Sequence, residues 1–239
     1  HERNRTGQPD RRAMTAPRLA IDGGSPVREA LLPYGRQTVT DRDIAAVTDA
    51  LRSDFLTTGP RVTKFEDALA EVAGTRHAVA VSSGTAALHT MLAAAGVGPG
   101  DEVIVPVITF AATANAALYL GAKPVFADLD PDTLLLDPGS VERCITPRTR
   151  AIVAVDYAGQ PADYEALAAV AGEVPVYADA CHALGGSLNG KPVGALTEMS
   201  SFSFHPVKHV AAGEGGAITT DDDDLAEAMR SFRNHGITT

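Results

Sequence analysis

The sequence predicts an α/β fold in which a mostly parallel sheet is covered by helices on both faces. From about residue 78 onward, short apolar segments typical of strands alternate with helix-forming segments. The strand-like segments are apolar throughout instead of at every second residue, which is typical of strands buried on both faces of a parallel sheet. We therefore expect ligands to bind at the carboxyl ends of these strands, as they do in open α/β sheets.

Local signals place each element in turn. Two helices are predicted before the sheet, over residues 41–52 and 64–72, flanking a Thr-Thr-Gly-Pro turn, and Thr40 or Asp41 can cap the first. The predicted strands cover residues 78–81, 103–107, 124–127, 151–155, 174–178, 199–204 and 217–220. The predicted helices among them cover residues 86–95, 111–120, 164–171 and 225–234. We interpret the aspartates at 221–224 as a solvated turn that ends at a helix N-terminus, where carboxylates are favoured, and not as a metal site.

Composition and charge exclude several function classes. Of 239 residues, 45% are hydrophobic and 21% charged, so the chain can bury a sizeable core. The net charge of -10 argues against a nucleic-acid partner.

Residues 78–100 and 103–122 contain no Asp, Glu, Lys or Arg, but Ser, Gly, Pro and Asn interrupt them, so we predict buried strand–helix units and no membrane partner. Cys144 and Cys181 lack zinc-site spacing, so no metal site is predicted and a reducing cytoplasm is the expected location.

Three segments carry candidate chemistry. The Ser82-Ser83-Gly84-Thr85 turn follows a predicted strand and opens a predicted helix, where backbone N–H groups favour a phosphate; an ordinary helix cap is the alternative. Asp179 ends a predicted strand and needs a partner such as a protonated pyridine nitrogen, unless it only caps the next turn. Lys208 stands among apolar and small residues, where a lysine can form a Schiff base with a carbonyl, although most lysines are solvated. Together these are the parts that hold pyridoxal 5′-phosphate (PLP).

The ordered set of motifs resembles the fold-type I PLP enzymes, and among them the sugar-nucleotide aminotransferases of the DegT type. The resemblance covers Leu32 to the end of the chain. Its marks are Tyr34-Gly35-Arg36-Gln37, Leu56-Thr57-Thr58-Gly59-Pro60, Ser83-Gly84-Thr85-Ala86-Ala87-Leu88, Thr109-Phe110, Asp179-Ala180-Cys181-His182-Ala183, Ser203-Phe204-His205-Pro206-Val207-Lys208 and Gly213-Glu214-Gly215-Gly216. It implies a three-layer large domain of that fold, with the family's smaller C-terminal domain missing from this chain.

The resemblance also implies a role for each matching residue. Lys208 is the catalytic residue, which bonds to the cofactor and moves the proton, and Asp179 keeps the pyridine nitrogen protonated. Phe110 stacks on the ring, with an ordinary core aromatic as the alternative, and His182 lies near the ring face or its 3′-oxygen, with a structural histidine as the alternative. The residues implied to bind the phosphate are Ser83, Gly84, Thr85 and Ser203. The residues implied to lie on the substrate side are Tyr34, Thr57 and Thr58.

The motif combination looks most like the C4 aminotransferases of the pseudaminic acid pathway. The implied reaction is a ping-pong transfer of an amino group from L-glutamate to C4 of a UDP-linked 4-keto-6-deoxy-N-acetyl hexose. The alternatives are C3 or C4 amination of a dTDP-linked keto sugar, and a truncated, inert fragment of the same fold. The expected segments are a disordered leader over 1–17, an N-terminal helical segment over 18–75 that packs on the large domain, and a PLP-binding large domain over 76–239. The resemblance further implies a homodimer with its active sites at the interface.

Overall fold

The computed structural model describes residues 18–33 and 35–237, and the chain divides into two compact units after Arg36. The described part of the first unit contains a 3-10 turn over Ala20–Asp22, which ends at Gly23 in the left-handed conformation. The second unit begins at Gln37 and contains the elements described below. The leader predicted over 1–17 lies outside the described residues, and the predicted boundary at residue 75 stays a prediction.

A seven-stranded sheet forms the centre of the second unit, with strands in the order β1-β9-β8-β5-β4-β2-β3. The strands are β1 (His77–Val81), β2 (Glu102–Pro106), β3 (Lys123–Ala127), β4 (Thr149–Val155), β5 (Val176–Asp179), β8 (Met199–Ser203) and β9 (Gly216–Thr220), while β6 (Ser187–Leu188) and β7 (Lys191–Pro192) form a separate hairpin. Strands β3, β2, β4, β5 and β8 pair in parallel, and β9 is antiparallel to both β8 and β1. The predicted mostly parallel α/β sheet is therefore confirmed, with one reversed strand.

The described residues of this unit contain seven helices: α1 (Asp41–Leu51), α2 (Pro60–Ala73), α3 (Gly84–Ala94), α4 (Ala111–Tyr119), α5 (Pro138–Cys144), α6 (Tyr164–Ala171) and α7 (Asp223–Arg233). A capping box between Thr40 and Asp43 starts α1. Helix α2 starts earlier than predicted because Pro60, whose φ is already helical, occupies its first turn. Helix α5 was not predicted, and the Asp137 carboxylate caps it by accepting from the N–H groups of Gly139 and Ser140.

Apolar packing on both faces of the sheet explains the uninterrupted apolar strands. In β4, Ala151 and Val153 join one buried cluster, whereas Ile152 and Ala154 join a second cluster. Successive side chains of a strand point to opposite faces, so each face of β4 contributes to a core. The two segments without charged residues form β1 with α3 and β2 with α4. None of the helices described here combines the length and apolar character required to cross a bilayer.

An ion pair covers part of the outer edge of β1, the terminal strand of the sheet. Glu66 from α2 accepts a hydrogen bond from the N–H of Ala80 at 2.8 Å through Oε1. Arg233 from α7 donates through Nη1 to the carbonyl oxygen of Ala80 at 2.9 Å and to Glu66 Oε1 at 2.6 Å. Both backbone polar groups of Ala80 are thus satisfied on the side of β1 that no strand covers.

Candidate active site

Two aspartates lie at the carboxyl ends of the neighbouring strands β4 and β5. Val155 is paired with Asp179 in the parallel register, and the N–H of Asp156 donates to the carbonyl oxygen of Asp179 at 3.0 Å. Asp179 is 5% exposed and Asp156 is fully buried. Within the described part of the chain, neither carboxylate forms an ion pair. Because buried charges require a compensating partner, this end of the sheet is suited to a cationic group.

Side chains and backbone of the neighbouring elements orient Asp179. The Thr113 hydroxyl, on α4, donates to Asp179 Oδ2 at 2.7 Å, and Thr113 and Thr109 share a hydroxyl hydrogen bond of 2.6 Å. The N–H of Cys181 donates to Asp179 Oδ1 at 3.3 Å. Both groups that donate to Asp179 are uncharged. They fix the position of the carboxylate, and its negative charge is left to interact with a ligand.

Asp156 has one satisfied carboxylate oxygen and one without a partner. Its Oδ1 accepts from the Tyr164 hydroxyl at 2.7 Å and from the N–H of Ala162 at 2.9 Å. Its Oδ2 is buried and has no hydrogen-bond partner among the residues that the structure describes. Burial raises the pKa of Asp156 to about 6, the two hydrogen bonds oppose this rise, and the charge of Asp179 adds to it.

The predicted phosphate turn packs directly on β8. Ser83 is the N-cap of α3, and its hydroxyl accepts from the N–H of Ala86 at 3.1 Å. A Cβ atom at Gly84 would lie 2.7 Å from Ser203 Cβ and 3.3 Å from Cys181 Sγ. The structure therefore brings Ser83 and Gly84 close to Ser203. A phosphate site formed by all three residues requires this proximity. Thr85 follows in the first turn of α3 and is half-buried.

Substituting Gly216 with alanine is expected to destabilise the protein and distort this turn. Gly216 begins β9, and a Cβ atom there would overlap the backbone of Ser83 and Gly84. Relieving an overlap of this kind costs about 1–3 kcal/mol. Chemical denaturation should show the loss of stability, and titration with inorganic phosphate should show weaker binding at the turn. An unchanged denaturation midpoint would contradict the close approach.

The loop between β8 and β9 carries Lys208. The N–H of Lys208 donates to the carbonyl oxygen of His205 at 2.8 Å, and the residue is half-buried. Burial is the main cause of the lowered pKa of His182; the Lys208 charge lowers it further, whereas Asp179 opposes the change. Burial and the Asp179 charge raise the pKa of the Cys181 thiol well above its usual value, so Cys181 is a packing residue and not a nucleophile. The charges of Lys208 and Asp179 thus both act on the pKa of His182, in opposite directions.

The remaining predicted residues are exposed or lie outside the described chain. Phe110, the N-cap of α4, is 74% exposed and therefore lies outside the buried core, while its stacking on a cofactor ring stays a prediction. Thr57 and Thr58 are exposed and line a cavity of about 920 Å³, which Ser82 and Arg230 also line. Tyr34 lies outside the described residues.

Two residues of the site were missed from the sequence although each carried a signal. Asp156 follows a continuous apolar strand, which is the same pattern that identified Asp179. Thr113 is a polar residue in an otherwise mostly apolar helix, and it follows the Thr109-Phe110 motif that precedes this helix. A search for acids at every strand end, and for polar residues on the helix facing them, would have found both.

Comparison with known proteins gives consistent matches. The model of the DegT/DnrJ/EryC1/StrS aminotransferase family matches residues 37–239. DesI, solved with its TDP-sugar product, is 45% identical with a TM-score of 0.86, over 92% of this chain and 57% of its own. PseC of Helicobacter pylori, an aminotransferase of pseudaminic acid biosynthesis, is 37% identical with a TM-score of 0.80, over 87% of this chain and 57% of its own. In its PLP form, Spr1654 of Streptococcus pneumoniae, described as a sugar aminotransferase, is 33% identical with a TM-score of 0.82, over 87% of this chain and 59% of its own. This chain thus spans less than two thirds of each solved structure.

Proposed function

Because the chain belongs to the DegT/DnrJ/EryC1/StrS aminotransferase family, we propose that it carries the cofactor site of a PLP-dependent sugar-nucleotide aminotransferase. The observation that supports this most directly is the buried Asp179 carboxylate, which has hydrogen bonds but no ion pair among residues 18–33 and 35–237, at the same end of the sheet as the Ser83–Gly84 turn. A neutral or anionic ligand would leave that charge uncompensated, whereas a protonated ring nitrogen would pair with it.

The residues at this end of the sheet fit PLP. When bound, PLP supplies an aldehyde carbon that accepts an amino group and a ring that withdraws electrons. Asp179 would bind the ring nitrogen, and Ser83, Gly84, Thr85 and Ser203 would surround the phosphate at the N-terminus of α3. Lys208 would bond to the aldehyde carbon and afterwards hold the transferred proton. Phe110, which is exposed at the start of α4, would cover the ring, and His182 would lie beside it.

For the substrate, we propose a nucleotide-linked keto hexose that receives the amino group of L-glutamate in a ping-pong reaction. The motif combination in the sequence favours C4 of a UDP-linked 4-keto-6-deoxy-N-acetyl hexose. The higher identity to DesI, 45% against 37% for PseC, favours the second candidate, a TDP-linked keto sugar. We place Thr57 and Thr58 on the substrate side, since they line the large cavity next to Ser82, and we keep Tyr34 there from the sequence alone.

The two halves of the reaction provide the test. The purified protein, loaded with PLP, should lose its visible cofactor absorption when L-glutamate is added without a sugar and regain it with 2-oxoglutarate. The aminated cofactor form should then be consumed by one member of a panel of UDP- and TDP-linked 3-keto and 4-keto sugars. A protein that stays colourless and does not bind added PLP would instead support an inert fragment of the fold.

We also propose that two copies of the chain associate, and we expect the protein in the cytoplasm. Against the described part of the chain, helix α1 buries none of its residues, and it exposes Ile44, Val47 and Leu51 along one side. Phe110 and Phe126 are exposed as well. Apolar surface of this extent is typical of a protein–protein interface. Sedimentation velocity should give a dimer at micromolar concentration, and a monomer at every concentration would contradict the proposal.

A further inference from the structure

Thr113 is a buried polar residue to which the proposed function gives no role, although it contacts Asp179. It is the third residue of α4 and has no exposed surface. Its hydroxyl donates to Asp179 Oδ2 at 2.7 Å and shares a hydrogen bond of 2.6 Å with the hydroxyl of Thr109. Packing alone would be served by valine, which has the same shape and no polar atom to satisfy. The Thr113 hydroxyl therefore serves its two partners.

The packing of α4 on the sheet explains why Asp179 faces this helix. Alternate residues of a strand point to the same side of the sheet. Tyr177, two residues before Asp179 on β5, belongs to the same buried cluster as Ala116 of α4. Asp179 therefore extends toward α4, in agreement with its hydrogen bond to Thr113. This contact joins two regular elements of the core.

The direction of both hydrogen bonds follows from the chemistry of the three groups. An ionised carboxylate only accepts, so the single hydroxyl proton of Thr113 is directed at Asp179. The Thr109 hydroxyl then donates to the Thr113 oxygen, which still has lone pairs to accept it. Since consecutive hydrogen bonds polarise one another, the bond from Thr109 strengthens the bond from Thr113 to the carboxylate.

Thr113 also holds the segment that carries Phe110. The N–H of Thr113 donates to the carbonyl oxygen of Phe110 at 3.1 Å. Thr109 directly precedes Phe110, so hydroxyl and backbone bonds to Thr113 hold the chain at two successive residues. The Phe110 side chain is exposed and gains little support from packing. These two hydrogen bonds therefore help to fix the backbone that presents the Phe110 ring.

We propose that Thr113 is a positioning residue of the cofactor site: its hydroxyl holds the Asp179 carboxylate toward a ring nitrogen and links it to the segment that presents Phe110. This inference rests on the proposed function, because it requires a cofactor ring at Asp179. Thr113 is buried, so it acts through these two residues without touching the ring. Without its hydroxyl, the described contact that remains to the carboxylate is the longer bond of 3.3 Å from the N–H of Cys181.

The test compares two ligands by equilibrium dialysis of the cofactor-free full chain at pH 7.5. The first is pyridoxamine 5′-phosphate, which has no aldehyde and cannot bond to Lys208. The second is its analogue in which C–H replaces the ring nitrogen. Wild type should bind the first about tenfold or more tightly than the second, because only the first can bind Asp179 through its ring. The ratio of the two affinities measures this contact alone.

Thr113→Val keeps the shape of the side chain and should lower this ratio about fivefold or more. Thr113→Ser keeps the hydroxyl and should restore the ratio of wild type. Thr109→Val removes only the donor to Thr113 and should lower the ratio about threefold. The matched control is Thr219→Val, which removes another buried hydroxyl, one that donates to the carbonyl oxygen of Gly194 at 3.0 Å. A general loss of stability affects both ligands alike, so this control should keep the ratio of wild type.

The affinity for the analogue reports on the link to Phe110, since this ligand has a ring face but no ring nitrogen. Thr109→Val frees the residue before Phe110 and should weaken binding of the analogue about threefold. Thr219→Val should leave that affinity unchanged. An unchanged affinity in Thr109→Val would overturn the link between Thr113 and Phe110.

The outcomes separate this inference from the proposed function. If wild type binds neither ligand, the proposed function fails, and if it binds both equally, the assignment of Asp179 fails and this inference with it. If wild type prefers the first ligand and Thr113→Val keeps the full preference, only the role of Thr113 is overturned. Should Thr113→Val not fold, as judged by circular dichroism, Thr109→Val decides: a lowered ratio supports the inference, and an unchanged ratio overturns it.

Discussion

Replacing Lys208 with alanine is expected to abolish the visible absorption of the PLP-loaded protein and to reduce amino transfer by at least about a thousandfold. In the proposed function the side chain would supply the amine that bonds to the cofactor aldehyde and the base that moves the proton, so one substitution would remove both functions. Lys208 is half-buried in the β8–β9 loop, and its charge acts on His182 and Cys181. Single-turnover reaction with L-glutamate, followed by absorbance, measures the effect.

Lys191→Ala is the matched control for this experiment. Lys191 is an exposed lysine in the β6–β7 hairpin, so its loss removes the same charge without touching the candidate site. The control should keep both the absorption and the transfer rate of wild type. If Lys208→Ala retained the visible absorption, another amine would hold the cofactor, and the assignment of Lys208 would be wrong.

Replacing Asp179 with asparagine or alanine is expected to slow amino transfer by about a hundredfold or more while the visible absorption persists. Lys208 can still bond to the aldehyde in these variants, but a ring nitrogen without a carboxylate partner loses its proton and withdraws electrons less strongly. Asparagine keeps an acceptor for the Thr113 hydroxyl, so Asp179→Asn separates the loss of charge from the loss of the hydrogen bond.

The measurement is again the single-turnover rate with L-glutamate, with thermal unfolding recorded in parallel. Asp132→Asn, at an exposed position, controls for the change in net charge. Wild-type turnover in both Asp179 variants would show that this carboxylate does not serve the cofactor. A decrease confined to Asp179→Ala would indicate that the hydrogen bond to Thr113 matters more than the charge.

The sequence was sufficient to predict the sheet class, because both faces of the strands are buried. Residues such as Ile152 and Val153 go to opposite cores, which produces an uninterrupted apolar pattern that is easily recognised. The direction of β9 was not predictable, since an apolar pattern does not indicate whether a strand runs parallel or antiparallel to its neighbours. Helix α5 was missed because seven residues give too short a periodic signal, although the Asp137-Pro138 start was present.

The residues of the candidate site were predicted from local motifs. This prediction was incomplete because a local motif contains no information on contacts between distant residues. Asp179, Lys208 and the Ser83–Thr85 turn each follow or precede a recognisable strand. By contrast, the hydrogen bond between Thr113 and Asp179 joins residues that are distant in the chain, and only the folded sheet brings them together. The backbone hydrogen bond from the N–H of Asp156 to the carbonyl oxygen of Asp179 likewise depends on β4 and β5 being neighbours, which the order of the strands along the chain does not specify.

The ion pair of Glu66 and Arg233 has a consequence for how copies of this chain can meet. A terminal strand with free N–H and C=O groups can recruit a strand from another molecule and extend the sheet across the contact. At Ala80 these groups already bind the two side chains, so a foreign strand would have to displace an ion pair before it could add there. Association through side-chain surfaces, such as the apolar side of α1, is therefore favoured over a continuous intermolecular sheet at β1.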